Sequence, residues 1–386
     1  MLLKFGAQNF FSFKEGFEVS LELGQTCPKS ISHNKNFANV LAIKGANASG
    51  KTNVLKVLSF IKEFVTESFS YKPEDEIFIN SYFDSEEPTN IYVIFLDNNI
   101  QYKYEVELTK HEIISETIYK KTQRSTKLIE RKKNKLDYRT EQFKELDIVK
   151  LRKNASIVST AKQYEVKELD IFYDLFLKIM VPNVSYLGMH DKLPNTQIAS
   201  SFYYTNEEVF SFVKKLLIQS DTGINDIKIF EREDEENDEK EYFPIFYHTV
   251  GNTQKTLTIY DQSSGVKTLY QRLGFYKIAL EEGSILVLDE FDINLHPDIL
   301  PTLIELFEDK KTNTKNAQLI FTTHNSDIMD NLGKYKVVLV NKEENESFLY
   351  RLDEIPGDLL RNDRSIFKVY NTGKIGGKPK INYGEI

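Results

Sequence analysis

The chain has 386 residues, 40% of them hydrophobic, and a net charge of −8. That is enough for the core of one large or two ordinary domains, and it argues against a general nucleic-acid coat protein. The single Cys27 excludes an internal disulfide and fits a reducing cytosol, no signal-peptide pattern follows Met1, and no apolar run approaches the roughly 18 residues of a membrane span, so the expectation is a cytoplasmic protein without membrane contact.

In chain order, the first strong signal is Gly45-Ala46-Asn47-Ala48-Ser49-Gly50-Lys51-Thr52, a complete G-x-x-x-x-G-K-[ST] phosphate loop. Val40-Leu41-Ala42-Ile43 before it reads as a buried strand, and Thr52 to Ile61 after it reads as a helix. Gly45 and Gly50 let backbone N–H groups wrap a phosphate without Cβ clashes. Lys51 is placed to reach the β- and γ-phosphates of ATP, and the Thr52 hydroxyl to ligate Mg²⁺. Asn47, Ser49 and Asn53 complete the candidate nucleotide-binding set. Asn90 to Leu96 and Gln101 to Leu108 alternate as strands, joined at Asp97-Asn98-Asn99 by a hairpin-like turn.

Beyond residue 110 the chain becomes charged. Thirteen Lys and Arg residues lie between Tyr119 and Asn154 against five acids, a candidate nucleic-acid surface or an ordinary solvated face. Lys162 to Val181 and Glu207 to Ile218 carry apolar residues at helical spacing, without a sustained heptad. Glu231 to Glu241 is an acidic run that reads as an exposed loop, and Ile245 to Tyr260 returns to strands.

Asp261-Gln262-Ser263-Ser264-Gly265 then opens a helix, and a free hydroxyl at a helix N-terminus is a natural anion site. Ser284 to Leu288 is an apolar strand ending in Asp289-Glu290. Next to a phosphate loop it reads as a Walker B strand, Asp289 for Mg²⁺ and Glu290 for the attacking water. Ala317 to Thr323 is a second strand, ending on His324, a candidate sensor of the γ-phosphate.

The order of phosphate loop, Ser-Ser-Gly, Leu-Asp-Glu and Thr-Thr-His resembles the ABC-type ATPases of the SMC and RecF clan. Met1 to Phe5 and Asn9-Phe10-Phe11-Ser12-Phe13 look like that clan's first strand and its "nF-sF" element. Asp289-Glu290-Phe291-Asp292 with Leu295-His296-Pro297, and the tail from Val369 to Ile381, are similar to stand-alone abortive-infection ATPases of the AbiLi or RloA type, relatives of the OLD-family nucleases. The likeness covers both ends of the chain well and residues 110–255 loosely. It has no convincing Q-loop glutamine: Phe78 to Phe83 occupies the expected region, and Gln101 lies too far along a strand.

The resemblance implies an α/β fold: an ABC-type P-loop ATPase head with an inserted helical lid or arm. Its parts are an N-terminal lobe over 1–110, a charged and mainly helical insert over 111–244, and a C-terminal lobe over 245–386. It also implies a homodimer sandwiching two ATP molecules, with Ser263 and Gly265 acting on the partner's nucleotide. Glu290, His324 and Lys51 are then the catalytic residues, and Thr52 and Asp289 hold Mg²⁺. Only about 60 residues follow His324, too few for a nuclease domain. The expected role is therefore control of a separate nuclease or toxin in an anti-phage system. The alternative is a RecF-like DNA-maintenance ATPase that uses the basic 119–154 segment.

Overall fold

The computed structural model describes residues 1–185, 188–189, 195–220, 222–233, 240–362 and 364–379. The N-terminal part runs through β1 (Leu2–Gln8), β2 (Phe17–Ser20), α1 (Lys29–Ser32), β3 (Val40–Gly45) and α2 (Lys51–Glu67). The antiparallel strands β4 (Thr89–Asp97), β5 (Ile100–Leu108), β6 (Ile113–Lys121), β7 (Ser125–Lys132) and β8 (Lys135–Arg139) follow. After α3 (Ile157–Gln163) and α4 (Asp170–Leu177) come the short strands β9 (Ile179–Met180), β10 (Val184–Ser185) and β11 (Gly188–Met189). Next are α5 (Thr196–Thr205), α6 (Glu207–Gln219), β12 (Asp226–Glu233), β13 (Lys240–Val250) and β14 (Thr253–Thr258). The C-terminal part holds α7 (Ser264–Glu282), β15 (Ile285–Leu288), α8 (Leu300–Glu308), β16 (Gln318–Thr323), α9 (Ile328–Leu332), β17 (Val337–Glu343), β18 (Glu346–Arg351) and α10 (Ile366–Asn371).

Two large sheets organise these elements, a seven-stranded one in the order β2-β1-β4-β5-β6-β7-β8 and a six-stranded one in the order β18-β17-β3-β16-β15-β9. In the second, β17, β3, β16, β15 and β9 run parallel and β18 is antiparallel. Its central strands β3, β15 and β16 are buried along their whole length because both faces are covered. Successive residues then serve two cores: Leu41 and Ile43 of β3 join the core around α2 and the seven-stranded sheet, while Val40 and Ala42 join the one beneath α7, α8 and α10. In α2, Val54, Leu55, Leu58 and Ile61 are fully buried against the first core. Each contributes about 1.5–3 kcal/mol of transfer free energy before entropy is counted. A buried side chain also ties the two sheets together. The buried Gln318 amide accepts from Leu2 N–H at 2.7 Å and donates to Leu2 C=O at 2.9 Å.

The β4–β5 hairpin matches its sequence pattern, with Ile91, Val93 and Phe95 inside and Asn98 and Asn99 at positive φ in the two-residue turn. The helical reading of 111–244 is corrected. Residues 113–139 are strands that extend the first sheet, so the 110/111 boundary cuts a continuous ladder between β5 and β6. Ile113, Ile118, Leu128 and Ile129 are buried in the core, but bulges at Ile118/Tyr119 and Glu130/Arg131 break the period of two that would have announced these strands. The end of the stretch is also β, a three-stranded meander of β12, β13 and β14. Helices do form over 157–163, 170–177, 196–205 and 207–219. The centre of the acidic run, 234–239, and the tail from 380 lie outside the described residues. Among the described residues no helix is long and apolar enough to cross a membrane.

Candidate functional site

The parallel strands β3, β15 and β16 end side by side, and a parallel α/β sheet presents its ligand-binding loops at that edge. The loop after β3 turns through Gly50 at φ +109°, where a Cβ would fall 2.7 Å from Ser347 Oγ and 2.9 Å from Ser12 Oγ. A Cβ on Gly45 would collide with the Val340 carbonyl. Both glycines are therefore required by space, and Gly50 also by conformation. Hydroxyls hold the loop from outside: Ser347 Oγ donates to Ser49 C=O at 2.7 Å and lies 2.8 Å from Ser12 Oγ, from which it can accept, and Asn53 Nδ2 donates to Ser12 Oγ at 2.9 Å. Ser12 belongs to the tight turn between β1 and β2, where Phe10 and Phe13 are buried.

Lys51 curls back to donate to the carbonyls of Gly45 (3.1 Å) and Ala46 (3.0 Å). Burial lowers its pKa, opposed by the nearby carboxylates of Asp289, Glu290 and Asp292. Thr52 Oγ1 donates to Asp289 Oδ2 at 2.7 Å, so the loop and the end of β15 meet, although 237 residues separate them. The other Asp289 oxygen accepts from Thr322 Oγ1, and Thr322 Oγ1 accepts in turn from Glu290 N–H at 2.8 Å. Glu290 itself sits at φ +46°, a strained backbone for a residue with a Cβ, and its carboxylate accepts no hydrogen bond among the described residues.

The turn after β16 is tied to the same edge. Asp292 accepts from His324 N–H at 3.2 Å and from Asn325 N–H at 3.1 Å, and Lys44 Nζ donates to His324 C=O at 2.7 Å. Burial pushes Lys44 down to about 8, and partial burial together with the nearby Lys51 ammonium lowers the His324 pKa, favouring its neutral ring.

The structure thus brings together Lys51, Thr52, Asp289, Glu290 and His324. Asn47 is exposed on the loop, and the buried Ser49 hydroxyl has no partner. Ser263 and Gly265 make no hydrogen bond to this cluster. Ser263 caps α7 by accepting from Val266 N–H at 3.3 Å and is otherwise exposed, free to meet a ligand from outside the chain. Gly265 allows α7 to approach the Asn294 carbonyl, which a Cβ would meet at 2.9 Å. Phe78 to Phe83 does not enter the site: Asn80 C=O accepts from Phe11 N–H at 2.9 Å, and Tyr82 N–H donates to Asn9 Oδ1 at 3.1 Å.

Sequence reading missed Thr322, Lys44, Ser347, Asn183 and Arg272. Arg272 reaches from α7 to Phe291 C=O at 3.2 Å, linking the Ser263 helix to the turn after β15. Threonine two residues before His324 was a usable signal; the others come from distant segments and had none.

The donor set suits a Mg²⁺-nucleoside triphosphate. Lys51 is satisfied only by carbonyls, the Ser49 hydroxyl is orphaned, and Thr52 with Asp289 supplies the hard oxygen ligands that Mg²⁺ takes alongside phosphate oxygens.

Proteins of known structure with a similar overall outline include the SMC head domain from Thermotoga maritima, at 16% identity and a TM-score of 0.46, covering 91% of this chain and 98% of that one. An SMC head bound to the C-winged helix domain of ScpA gives 12% identity and a TM-score of 0.49, covering 90% and 96%. The Smc head with coiled coil and joint from Pyrococcus yayanosii gives 10% and 0.48, covering 97% and 99%. No curated protein matches the chain. Residues 40–330 match a family model that spans the phosphate loop, both carboxylates and His324, and the chain belongs to that family, described as "AAA domain, putative AbiEii toxin, Type IV TA system".

Proposed function

We propose that the chain is an ATP-binding and ATP-hydrolysing switch: an ABC-type head that closes as a homodimer on two ATP molecules and controls a separate nuclease or toxin in a prokaryotic anti-phage system. The observation that carries the nucleotide reading is the Thr52–Asp289 hydrogen bond, which joins the phosphate loop to the Walker B carboxylate. The family's own description, a toxin of a toxin–antitoxin system, supports a defence role. The abortive-infection affinity of the AbiLi or RloA type rests on the motif residues and the glycine-rich tail.

In this reading the loop N–H groups and Lys51 hold the β- and γ-phosphates, and Thr52 and Asp289 hold Mg²⁺, which neutralises phosphate charge when bound. Glu290, strained and without a hydrogen-bond donor of its own, orients and deprotonates water, while His324 reads the γ-phosphate from the adjacent strand. Ser263 and Gly265, outside their own chain's cluster, act on the nucleotide of the second copy. Catalysis is positioning and electrostatics.

The RecF-like alternative draws on the basic 119–154 segment, and pairing weakens it. Arg131 is buried on Glu116, while Lys127, Lys132, Lys133 and Arg139 each hold an acid of the same sheet or its flanking turn. The deciding experiment is recovery of tagged Glu290→Gln chain from its native host in Mg-ATP. A stoichiometric effector protein that disappears when Lys51 is also replaced supports the switch. Duplex DNA with no protein partner overturns the defence role in favour of DNA maintenance.

A further inference from the structure

Asp289 is held from two sides. Thr52 and Thr322 contact its carboxylate, and its backbone is gripped by a residue from a segment more than 100 positions earlier. Asn183 Oδ1 accepts from Asp289 N–H at 3.0 Å, and Asn183 Nδ2 donates to Asp289 C=O at 2.8 Å. The Asn183 side chain is buried, with 1% of the residue exposed.

The strand register explains why a side chain does this. β9 pairs in parallel with β15 through Ile179 opposite Ile285 and Met180 opposite Leu286. Extending that register puts Pro182 opposite Leu288 and Asn183 opposite Asp289. Pro182 has no N–H to donate, so the backbone ladder stops there. The Asn183 amide, with one acceptor and one donor facing a strand, resumes the pairing at its own register position. Its main chain is thereby free to leave the sheet into β10, where Val184 C=O accepts from Ser59 Oγ of α2 at 3.0 Å. One short segment thus touches both the Walker B aspartate and the helix that begins at Lys51.

We infer that Asn183 is a positioning residue that sets the backbone of Asp289 so that its carboxylate stays between Thr52 and Thr322. The inference rests on the nucleotide reading of the site and adds to it the residue that regulates its metal-binding half. An outer partner that orients a metal ligand acts on metal affinity more than on binding of the free nucleotide.

The test uses the full chain with Asn183→Ala, and Asn183→Ser as a second variant that retains one hydrogen-bonding atom. Three quantities are read: affinity for a fluorescent ATP analogue in EDTA, Mn²⁺ affinity of the ADP-bound protein by electron paramagnetic resonance, and thermal unfolding. The expected result is Mn²⁺ binding weakened roughly tenfold, with nucleotide affinity in EDTA unchanged and a cooperative melt retained. Unchanged Mn²⁺ affinity in a folded variant overturns the inference, as does an equal loss of both affinities, which marks general collapse of the site. If neither variant folds, Asn183 is a folding residue and the inference is likewise overturned. Asp289→Asn separates the two levels. If it weakens Mn²⁺ binding while the Asn183 variants do not, the nucleotide reading stands and only the role of Asn183 falls. If wild-type chain binds no nucleotide, the reading and the inference fall together.

Discussion

The edge where β3, β15 and β16 end and the outer strands β6–β8 contain the same kinds of charged side chain and use them in opposite ways. In the outer strands and their turns several charges are answered locally: Lys127 by Glu130 at 2.6 Å, Lys132 by Asp137 at 2.9 Å, Lys133 by Glu112 at 2.8 Å. Arg131 is enclosed completely, donating to Glu116 and to the carbonyls of Lys133, Ala155 and Arg152. At the edge, Lys44 and Lys51 donate their hydrogen bonds to carbonyl oxygens rather than to carboxylates, and among the described residues the Glu290 carboxylate has no donor. Charge that is answered within the chain is committed there; charge left unanswered at the end of a sheet is available to a ligand.

Glu290→Gln gives the largest separation between the two regions. Phosphate release should fall by about 10²- to 10⁴-fold with ATP affinity retained, and the variant should accumulate as a nucleotide-bound dimer in size-exclusion chromatography. Turnover at the wild-type rate would remove Glu290 from the chemistry. Next comes Arg131→Ala, which strands a buried carboxylate and should cost about 3–5 kcal/mol in urea unfolding. A cost near zero would mean that the outer sheet does not depend on its internal pairing. Gly50→Ala, at positive φ and facing two hydroxyls, should weaken binding of the ATP analogue and lower the melting temperature; a neutral outcome would show that the loop relaxes.

His324 gives a smaller, pH-dependent effect. Burial and Lys51 depress its pKa, so the neutral ring persists as pH falls to 6.5 and is lost below that. The acid limb of the rate profile should therefore lie below pH 6.5 and vanish in His324→Ala; a limb above 6.5 would assign it to another group. The smallest effect is expected of Lys132→Ala, an exposed member of the answered set, whose melting curve should overlay the wild type.

What could be read in advance was what is contiguous. Gly45 to Thr52, Asp289-Glu290 and the strand ending on His324 are local words, each carrying its own strand-to-loop context. Asn183, Lys44 and Ser347 act through partners 106, 280 and 298 residues away, and no local pattern announces such a meeting. The strands over 113–139 were missed for a different reason. Bulges at Ile118/Tyr119 and Glu130/Arg131 break their alternation, and the charged Glu116 and Arg131 stand among the buried residues.

The C-terminal tail has a consequence of its own. Tyr370 lies 5.1 Å beneath the Lys44 ammonium, Tyr350 OH donates to Ile375 C=O at 2.6 Å, and Gly377 N–H donates to Asn341 at 2.6 Å. Lys44 in turn holds the His324 carbonyl. Cutting the chain ahead of α10 and removing the tail would take the aromatic ring from this lysine without cutting any strand of the sheet. Contacts at the protein's margin thus reach, through Lys44, the carbonyl of the histidine at the candidate site.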